Sequence, residues 1–392
     1  MRKEVRDMER EPWEIDFPIS RMLLAKAVRG AVPLSGTFEL TSRCNFSCRM
    51  CYVHNMQDSG ELKKRELTAA QWLEIAEEAK RCGTLFLLLT GGEAMLREDF
   101  AEIYCKLSVM GFRIVVNSNG SMLTDEILDC FRKYPPGRVN VSVYGASEET
   151  YRDLCGVEAR ARVAENVRKL KGAGISVRTI MTATPYNCHD MEEICRFSRE
   201  ADTLLEVGTY MFPPIRLNGE DCGENAGRFT AEEAGRYRIR WERLRCTEEE
   251  FHKRAEGKIR ECRYLEEQYR GRTAAEGEPV WCQAGRSAYW ITWNGKMRPC
   301  GLMTRPEGDV LEMGFEQAWK EIHGETAKIR LPRECAVCAN RKICRVCAAM
   351  CLSETGSFDT RPNYVCRMVD EMKRGYMGEA EVKETDFIVK PL

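Results

Sequence analysis

The chain has 392 residues, 60 Lys and Arg against 61 Asp and Glu for a net charge of −1, and an apolar fraction of 43%. That length supports a large core and roughly two to three domains, and the composition is that of a folded globular protein rather than a disordered one. A near-neutral chain without a long basic run excludes a nucleic-acid backbone as partner, and an apolar run no longer than residues 85–89 excludes a membrane-spanning helix.

Residues 1–35 form an N-terminal extension that opens MRKEVRDMEREPWEIDF, charged throughout and without the apolar segment of a secretory signal. A cytoplasmic location is therefore expected. From there to residue 214 short β-rich runs alternate with amphipathic segments. Strands are predicted at 37–41, 85–90, 113–117, 138–143, 175–182 and 204–210. The first long helix, 68–82, has apolar positions at Ala69, Trp72, Leu73, Ala76 and Ala79 and opens with the capping box Thr68-x-x-Gln71. The next, 100–110, carries Phe100, Ile103, Tyr104, Leu107 and Met110 and stops at Gly111. Segments 124–134 and 161–170 repeat the pattern. The continuously apolar second strand suits a parallel strand covered on both faces. Six βα units predict an α/β fold, a partial (β/α)6 TIM-like barrel over residues 36–214.

Residues 215–275 read as a helical linker, with Trp241 and Leu244 on one side of a charged helix or helix pair. Residues 276–369 are poor in helix formers and rich in Gly, Pro and Cys. They predict a small cysteine-rich domain held by metal more than by an apolar core. A charged tail, 370–392, follows.

In parallel α/β barrels the working residues collect at the C-terminal ends of strands. Cys44, Cys48 and Cys51 follow the first strand in TSRCNFSCRMCYV. TGGE (90–93) ends the second, NSNG (117–120) the third and SVYG (142–145) the fourth. The chain holds 20 cysteines but only four histidines, none paired at ligand spacing, so soft thiolate sites are favoured over imidazole sites. Without an export signal, clustered cysteines read as metal ligands rather than disulfides. Three thiolates with one coordination position left open suit a 4Fe–4S cluster with a unique iron. The bland alternatives are a zinc knuckle that borrows a distant ligand, or a set of buried thiols.

The triplet after a first barrel strand, with GGE at the end of the next, resembles the radical S-adenosylmethionine (SAM) superfamily. The resemblance implies that Cys44, Cys48 and Cys51 hold three irons while SAM chelates the fourth. It further implies that reductive cleavage of SAM yields a 5′-deoxyadenosyl radical that abstracts hydrogen from a substrate. Gly91 and Gly92 would let backbone approach the methionine moiety, Glu93 would accept from its ammonium, and Tyr52 would lie near the adenine. Asn119 and Ser142 would serve the ribose or carboxylate, although a plain turn and a plain strand end also explain them.

The C-terminal region carries a second field: Cys282, Gly295-x4-Cys300, then Cys335-x2-Cys338-x5-Cys344-x2-Cys347-x3-Cys351, and finally Cys366. This resembles the SPASM domain, an auxiliary-cluster module of radical SAM peptide-modifying enzymes. The resemblance implies one 4Fe–4S cluster on Cys335, Cys338, Cys344 and Cys366. It implies a second on Cys282, Cys300 and one of Cys347 and Cys351, so three clusters in all. The family's x3 step from Cys344 lands on Ala348, which leaves those last two cysteines as alternatives. Cys246 and Cys262 are the nearest upstream candidates for a further ligand, both remote and in helical context. Structural zinc is the alternative for this field. Cys82, Cys105, Cys130, Cys155, Cys188, Cys195 and Cys222 lie singly and read as buried or inert thiols.

The resemblance implies a peptide or protein substrate, modified by an oxidative crosslink or a related step, and a low-potential electron donor such as flavodoxin or ferredoxin. About 36 residues precede the first strand, too few for a winged-helix module, so recognition of a leader peptide would need a separate protein or the core surface. Dehydrogenation or rearrangement of a small molecule is the second reading, and a non-catalytic iron–sulfur carrier a third. Glu206, Tyr210 and Arg216, near the sixth strand's end, are the candidate substrate-facing groups.

Overall fold

A computed structural model describes residues 18–52, 59–213 and 227–378. Six parallel strands lead the architecture: β1 (Ser35–Glu39), β2 (Phe86–Thr90), β3 (Arg113–Ser118), β4 (Arg138–Ser142), β5 (Val177–Thr182) and β6 (Leu204–Gly208). Each pairs in parallel with its sequence neighbour. The alternation in β3 shows why. Ile114, Val116 and Ser118 are buried, while Val115 and Asn117 point to the other, partly covered face. The predicted strands are all present, with ends shifted by two residues at most.

Helices cover the sheet as the periodicity requires. The helix Ala69–Arg81 is closed at its start by the reciprocal Thr68–Gln71 capping box and buries Trp72, Ile75, Ala76 and Ala79. Trp72 stacks on Phe38 of β1 at 4.9 Å between ring centroids. Burial of an apolar side chain of that size contributes about 1.5–3 kcal/mol. Phe100 and Tyr104 of the helix Phe100–Val109 meet Phe131 of the helix Asp125–Lys133 edge-on.

The region expected as a separate cysteine-rich domain is continuous with this sheet. Three further strands, β7 (Ala288–Ile291), β8 (Lys296–Arg298) and β9 (Gly308–Asp309), extend it to the order β6-β5-β4-β3-β2-β1-β7-β8-β9. β7 lies parallel to β1, with Ser35 opposite Ala288 and Phe38 opposite Ile291, while β8 and β9 run antiparallel. The rest of the region keeps a small apolar cluster of its own around Val280, Met303, Leu331 and Leu352. The linker is a helix pair, Ala231–Leu244 and Glu248–Tyr269, each opened by a capping box, and it packs on the helix Asn363–Tyr376. No helix among the described residues is long and apolar enough to cross a membrane.

A buried ion pair joins the two parts beyond β6. Arg228 forks onto Glu354 of the helix Ala348–Thr355 at 2.7 and 3.2 Å, with side-chain exposures of only 8% and 5%. The Tyr210 hydroxyl donates to the same carboxylate at 2.8 Å, and the guanidinium lies 3.9 Å from the Tyr364 ring centre. Breaking a buried pair leaves an uncompensated charge. Glu354→Ala is expected to destabilise the protein by about 3–5 kcal/mol, and the paired change Arg228→Met with Glu354→Leu to recover most of that. Denaturant unfolding measures both; equal losses in the single and double variants would contradict this account.

Candidate metal centre

The loop that leaves β1 carries Cys44, Cys48 and Cys51, and its path is fixed by backbone. Gly92 N–H donates to Thr41 O at 2.8 Å and Glu93 N–H to Arg43 O at 2.9 Å. A Cβ on Gly91 would lie 2.5 Å from Thr41 O, and one on Gly92 only 2.3 Å from Arg43 O. The glycine pair thus has a reason in addition to the expected one: it lets the end of β2 press against the cysteine loop. Charge holds the same stretch from below. Arg43 forks onto Glu66 at 2.8 and 2.9 Å, and the Thr41 hydroxyl donates to Glu66 as well. Buried Arg97 donates to Leu40 O and Leu67 O and pairs with Asp99.

Further along, Phe46 is buried with Tyr144 and Tyr151 edge-on at 6.4 Å each. Ser47 N–H and Arg49 N–H donate to Cys155 O and Leu154 O, both at 2.9 Å, which fastens the loop to the helix Glu148–Cys155. Cys51 N–H closes a turn onto Cys48 O at 3.1 Å.

Cys44 is exposed, yet the surrounding protein desolvates its thiol and pushes its pKa up to about 12, with Glu93, Cys48 and Cys51 adding in the same direction. The Cys48 thiol is pushed up by a hydrogen bond with Cys155 and by burial. The Cys44 sulfur therefore stands in the field of the other two, and the surroundings of Cys44 and Cys48 favour neutral thiols until a positive group arrives. That donor set fits an iron–sulfur cluster. Among the described residues no three His, Cys, Asp or Glu side chains converge as tightly as a single ion requires. A four-iron cluster is broader than an ion and takes thiolates alone.

Glu93 is fully buried, and its oxygens accept from Asn119 N–H at 2.7 Å, Met95 N–H at 3.1 Å and the Ser118 hydroxyl at 3.0 Å. Burial pushes its pKa up to about 7. The carboxyl is thus first of all a tie between the loops after β2 and β3. Asn119 donates from Nδ2 to Asn45 Oδ1 at 2.9 Å and points toward Cys44 Sγ at 3.8 Å, while its Oδ1 accepts from Ser121 N–H and the Ser121 hydroxyl. Ser142 lies partly buried at the end of β4, opposite Ile180 of β5. Tyr52, also partly buried, directly follows Cys51. All these residues gather around the cysteine loop or at the same end of the sheet.

The second field divides in two. Cys335, Cys338, Cys344 and Cys366 line one cavity of about 500 Å3. Burial pushes Cys335 up to about 11 and Cys344 up to about 12, and the fields of their partner cysteines add to it. Cys347 stands apart, at the N-terminus of the helix Ala348–Thr355, in the field of Cys282. Burial raises its pKa, while the N–H groups of Met350 and Ala349, directed at its sulfur, pull it back. Cys351, one turn on, is fully buried in the small apolar cluster that Cys282, Cys300 and Cys347 border.

Of the substrate-facing candidates, Tyr210 has its hydroxyl tied to Glu354, and Glu206 is largely exposed with Arg178 at 3.3 Å. Arg216 lies outside the described residues, as does Cys222. Cys262 is fully buried in the main apolar core and in the field of Cys338, and Cys246 packs against that core and donates to Glu242 O, whereas Cys282 borders the other cluster. The other described cysteines are unbridged thiols in or against the apolar core, and three of them have a second cysteine as neighbour. Cys155 sits against Cys48, and Cys105 and Cys130 face each other at 2.9 Å between sulfurs. Each pairing is long-range, and spacing in the sequence carries no signal for it.

The family described as "Radical SAM superfamily" matches residues 38–198. An AdoMet-dependent heme synthase of Methanosarcina barkeri is 25% identical over 334 residues, 82% of this chain and 93% of that protein. The sporulation killing factor maturation protein SkfB of Bacillus subtilis is 26% identical over 308 residues, 77% of this chain and 68% of its own. Among solved structures, Streptococcus suis SuiB bound to its precursor peptide SuiA superposes with a TM-score of 0.61 at 16% identity, over 90% of this chain and 82% of that one; this is a likeness of fold. Residues 38–198 are a radical SAM domain, a family that implies a 4Fe–4S cluster and SAM, and the cysteine-rich C-terminal region fits the SPASM pattern.

Proposed function

We propose that this radical SAM enzyme modifies a peptide or protein substrate, with Cys44, Cys48 and Cys51 as the ligands of the SAM-binding cluster. The observation that carries the ligand assignment is the fixed loop: three thiols on it, Cys44 in the field of the other two, sewn by backbone to GGE. A four-iron cluster held by these three cysteines would supply the electron for cleavage of SAM. The chain's own residues do the rest. Gly91 and Gly92 hold the loop at its distance, Glu93 and Ser118 lock the neighbouring strand ends, and Asn119 aims an amide at Cys44. Tyr52 and Ser142 remain the groups for adenine and ribose.

For the auxiliary clusters we assign Cys335, Cys338, Cys344 and Cys366 to one, and Cys282, Cys300 and Cys347 to the other. Cys347 is preferred over Cys351 because a helix N-terminus favours a thiolate, whereas full burial in an apolar cluster opposes it. Residues 36–214 form the catalytic part and 276–369 the auxiliary part in this reading.

The likeness to SkfB over 77% of the chain supports a peptide substrate. A small-molecule substrate is the second reading, favoured by the heme synthase, which is matched over 93% of its length. Deuterium tracing separates the two. Hydrogen is expected to reach 5′-deoxyadenosine from a labelled peptide encoded beside the gene; transfer from a labelled porphyrin instead would overturn the peptide reading. A low-potential flavodoxin or ferredoxin is the proposed electron donor.

Three outcomes test the assignments. Cys44→Ala, Cys48→Ala and Cys51→Ala together should remove about a third of roughly twelve irons per chain and all SAM cleavage after anaerobic reconstitution. Retained 5′-deoxyadenosine formation would reject the ligand set. Gly92→Val, whose side chain runs into Arg43 O, should lose the same third of the iron while circular dichroism stays that of the parent; full iron content would refute the contact's role. Cys347→Ala should cost about four irons and Cys351→Ala almost none; the reverse order of losses would exchange the two cysteines.

A further inference from the structure

The cavity that gathers Cys335, Cys338, Cys344 and Cys366 contains one contact that ligation alone does not need. Arg361 sits at the turn into the helix Asn363–Tyr376, five residues before Cys366, and its Nε–H donates to Cys366 Sγ at 3.0 Å. The same guanidinium also stands in the field of Cys335 and Cys338. Its neighbours in the cavity are differently engaged. Arg341 forks onto Glu278 at 2.7 Å to each oxygen, and Lys342 pairs with Glu261 at 3.6 Å. Arg345 also lines the cavity, and Glu334 and Asp370 are acids on its wall, Asp370 accepting from Asn340.

We infer that Arg361 sets the reduction potential of the auxiliary cluster held by Cys335, Cys338, Cys344 and Cys366, by an N–H···S hydrogen bond to Cys366 and by its fixed positive charge. The inference rests on the proposed ligand set. Its physics is direct. An iron–sulfur cluster on thiolates gains negative charge on reduction, and hydrogen bonds to the sulfurs with nearby cations favour the more negative state. Arg361 is exposed, and water screens its charge. The direct contact with sulfur is therefore what distinguishes it from the other basic residues around the cavity. Arginine suits the position because it stays protonated at every accessible potential and pH. A raised potential makes this site easier to reduce than the same thiolates would be without the contact. Arg361 acts through Cys366 and is a positioning residue.

The test is a potentiometric titration of the reconstituted full chain followed by electron paramagnetic resonance. The relevant signal is the one that disappears in Cys335→Ala with Cys366→Ala. Arg361→Gln is expected to move its midpoint to a more negative potential with iron content and SAM cleavage unchanged. Arg361→Lys, which keeps the charge but not the Nε donor, should show a smaller shift in the same direction and carries the test if the Gln variant loses iron. Midpoints equal to the parent's, with the signal present, overturn the role of Arg361. Loss of no signal and no iron in the double cysteine variant overturns the ligand set itself.

Discussion

Two stretches of backbone pressed together, 91–93 against 41–43, are the constraint on which the rest of the site depends. Neither hydrogen bond between them forms if the strand end carries side chains, because a Cβ at either glycine falls within 2.5 Å of a carbonyl oxygen. Once the contact is made, the loop between Cys44 and Cys51 has a fixed origin and its thiols share one region. The contact also sets charged groups in a crowded place. Arg43 and Arg97 approach the same carboxylate, Glu66, whose side chain is 5% exposed, and Arg97 caps two further carbonyls. Such a network is worth little as stabilisation, because desolvation offsets much of the attraction. Its value here is directional: it leaves the loop's entry one conformation.

The order of strands and helices was legible because each element follows its own periodicity. The capping box at Thr68 and the continuous apolar run of β2 are local signals, and local signals survive translation into structure. The cysteine triplet and GGE were legible for a similar reason, since one loop holds each of them. What escaped is everything that depends on partners far apart in the chain. The pairing of β7 with β1 joins residues some 250 apart, and a four-residue strand in a Gly- and Cys-rich stretch has no pattern that announces its neighbour. The contacts of Cys155 with Cys48 and of Cys105 with Cys130 have the same origin. Glu66 escaped because a lone acid after a helix reads as a solvated residue unless its two arginine partners are known.

The two alternatives left by the cysteine spacing differ in physical setting, and that difference is instructive. Cys347 and Cys351 lie one helical turn apart, so their sulfurs share a face of the helix. One is at the N-terminus, where free N–H groups point outward; the other is in the interior turn, where all N–H groups are used. A thiol at the first position has donors ready for negative charge; the thiol at the second is buried in an apolar cluster, where the fields of Cys335, Cys347, Cys344 and Cys366 raise its pKa further. Spacing alone treats them as equivalent.

The same helix explains how the C-terminal region is held. A six-stranded parallel sheet leaves two edges, at β1 and at β6, and an open barrel has nothing of its own to close the gap. This chain reaches both edges with one region. At β1 it adds β7 by backbone pairing. Beyond β6 it reaches Tyr210 and Arg228 through Glu354, on the helix that Cys347 begins. The first tie is a ladder of hydrogen bonds that resists sliding; the second is a buried charge pair that is costly to separate. Held at both edges, the cysteine field has little freedom to shift against the strand ends. With clusters in both cysteine fields, as proposed, these two ties would fix the separation that electron exchange between them requires.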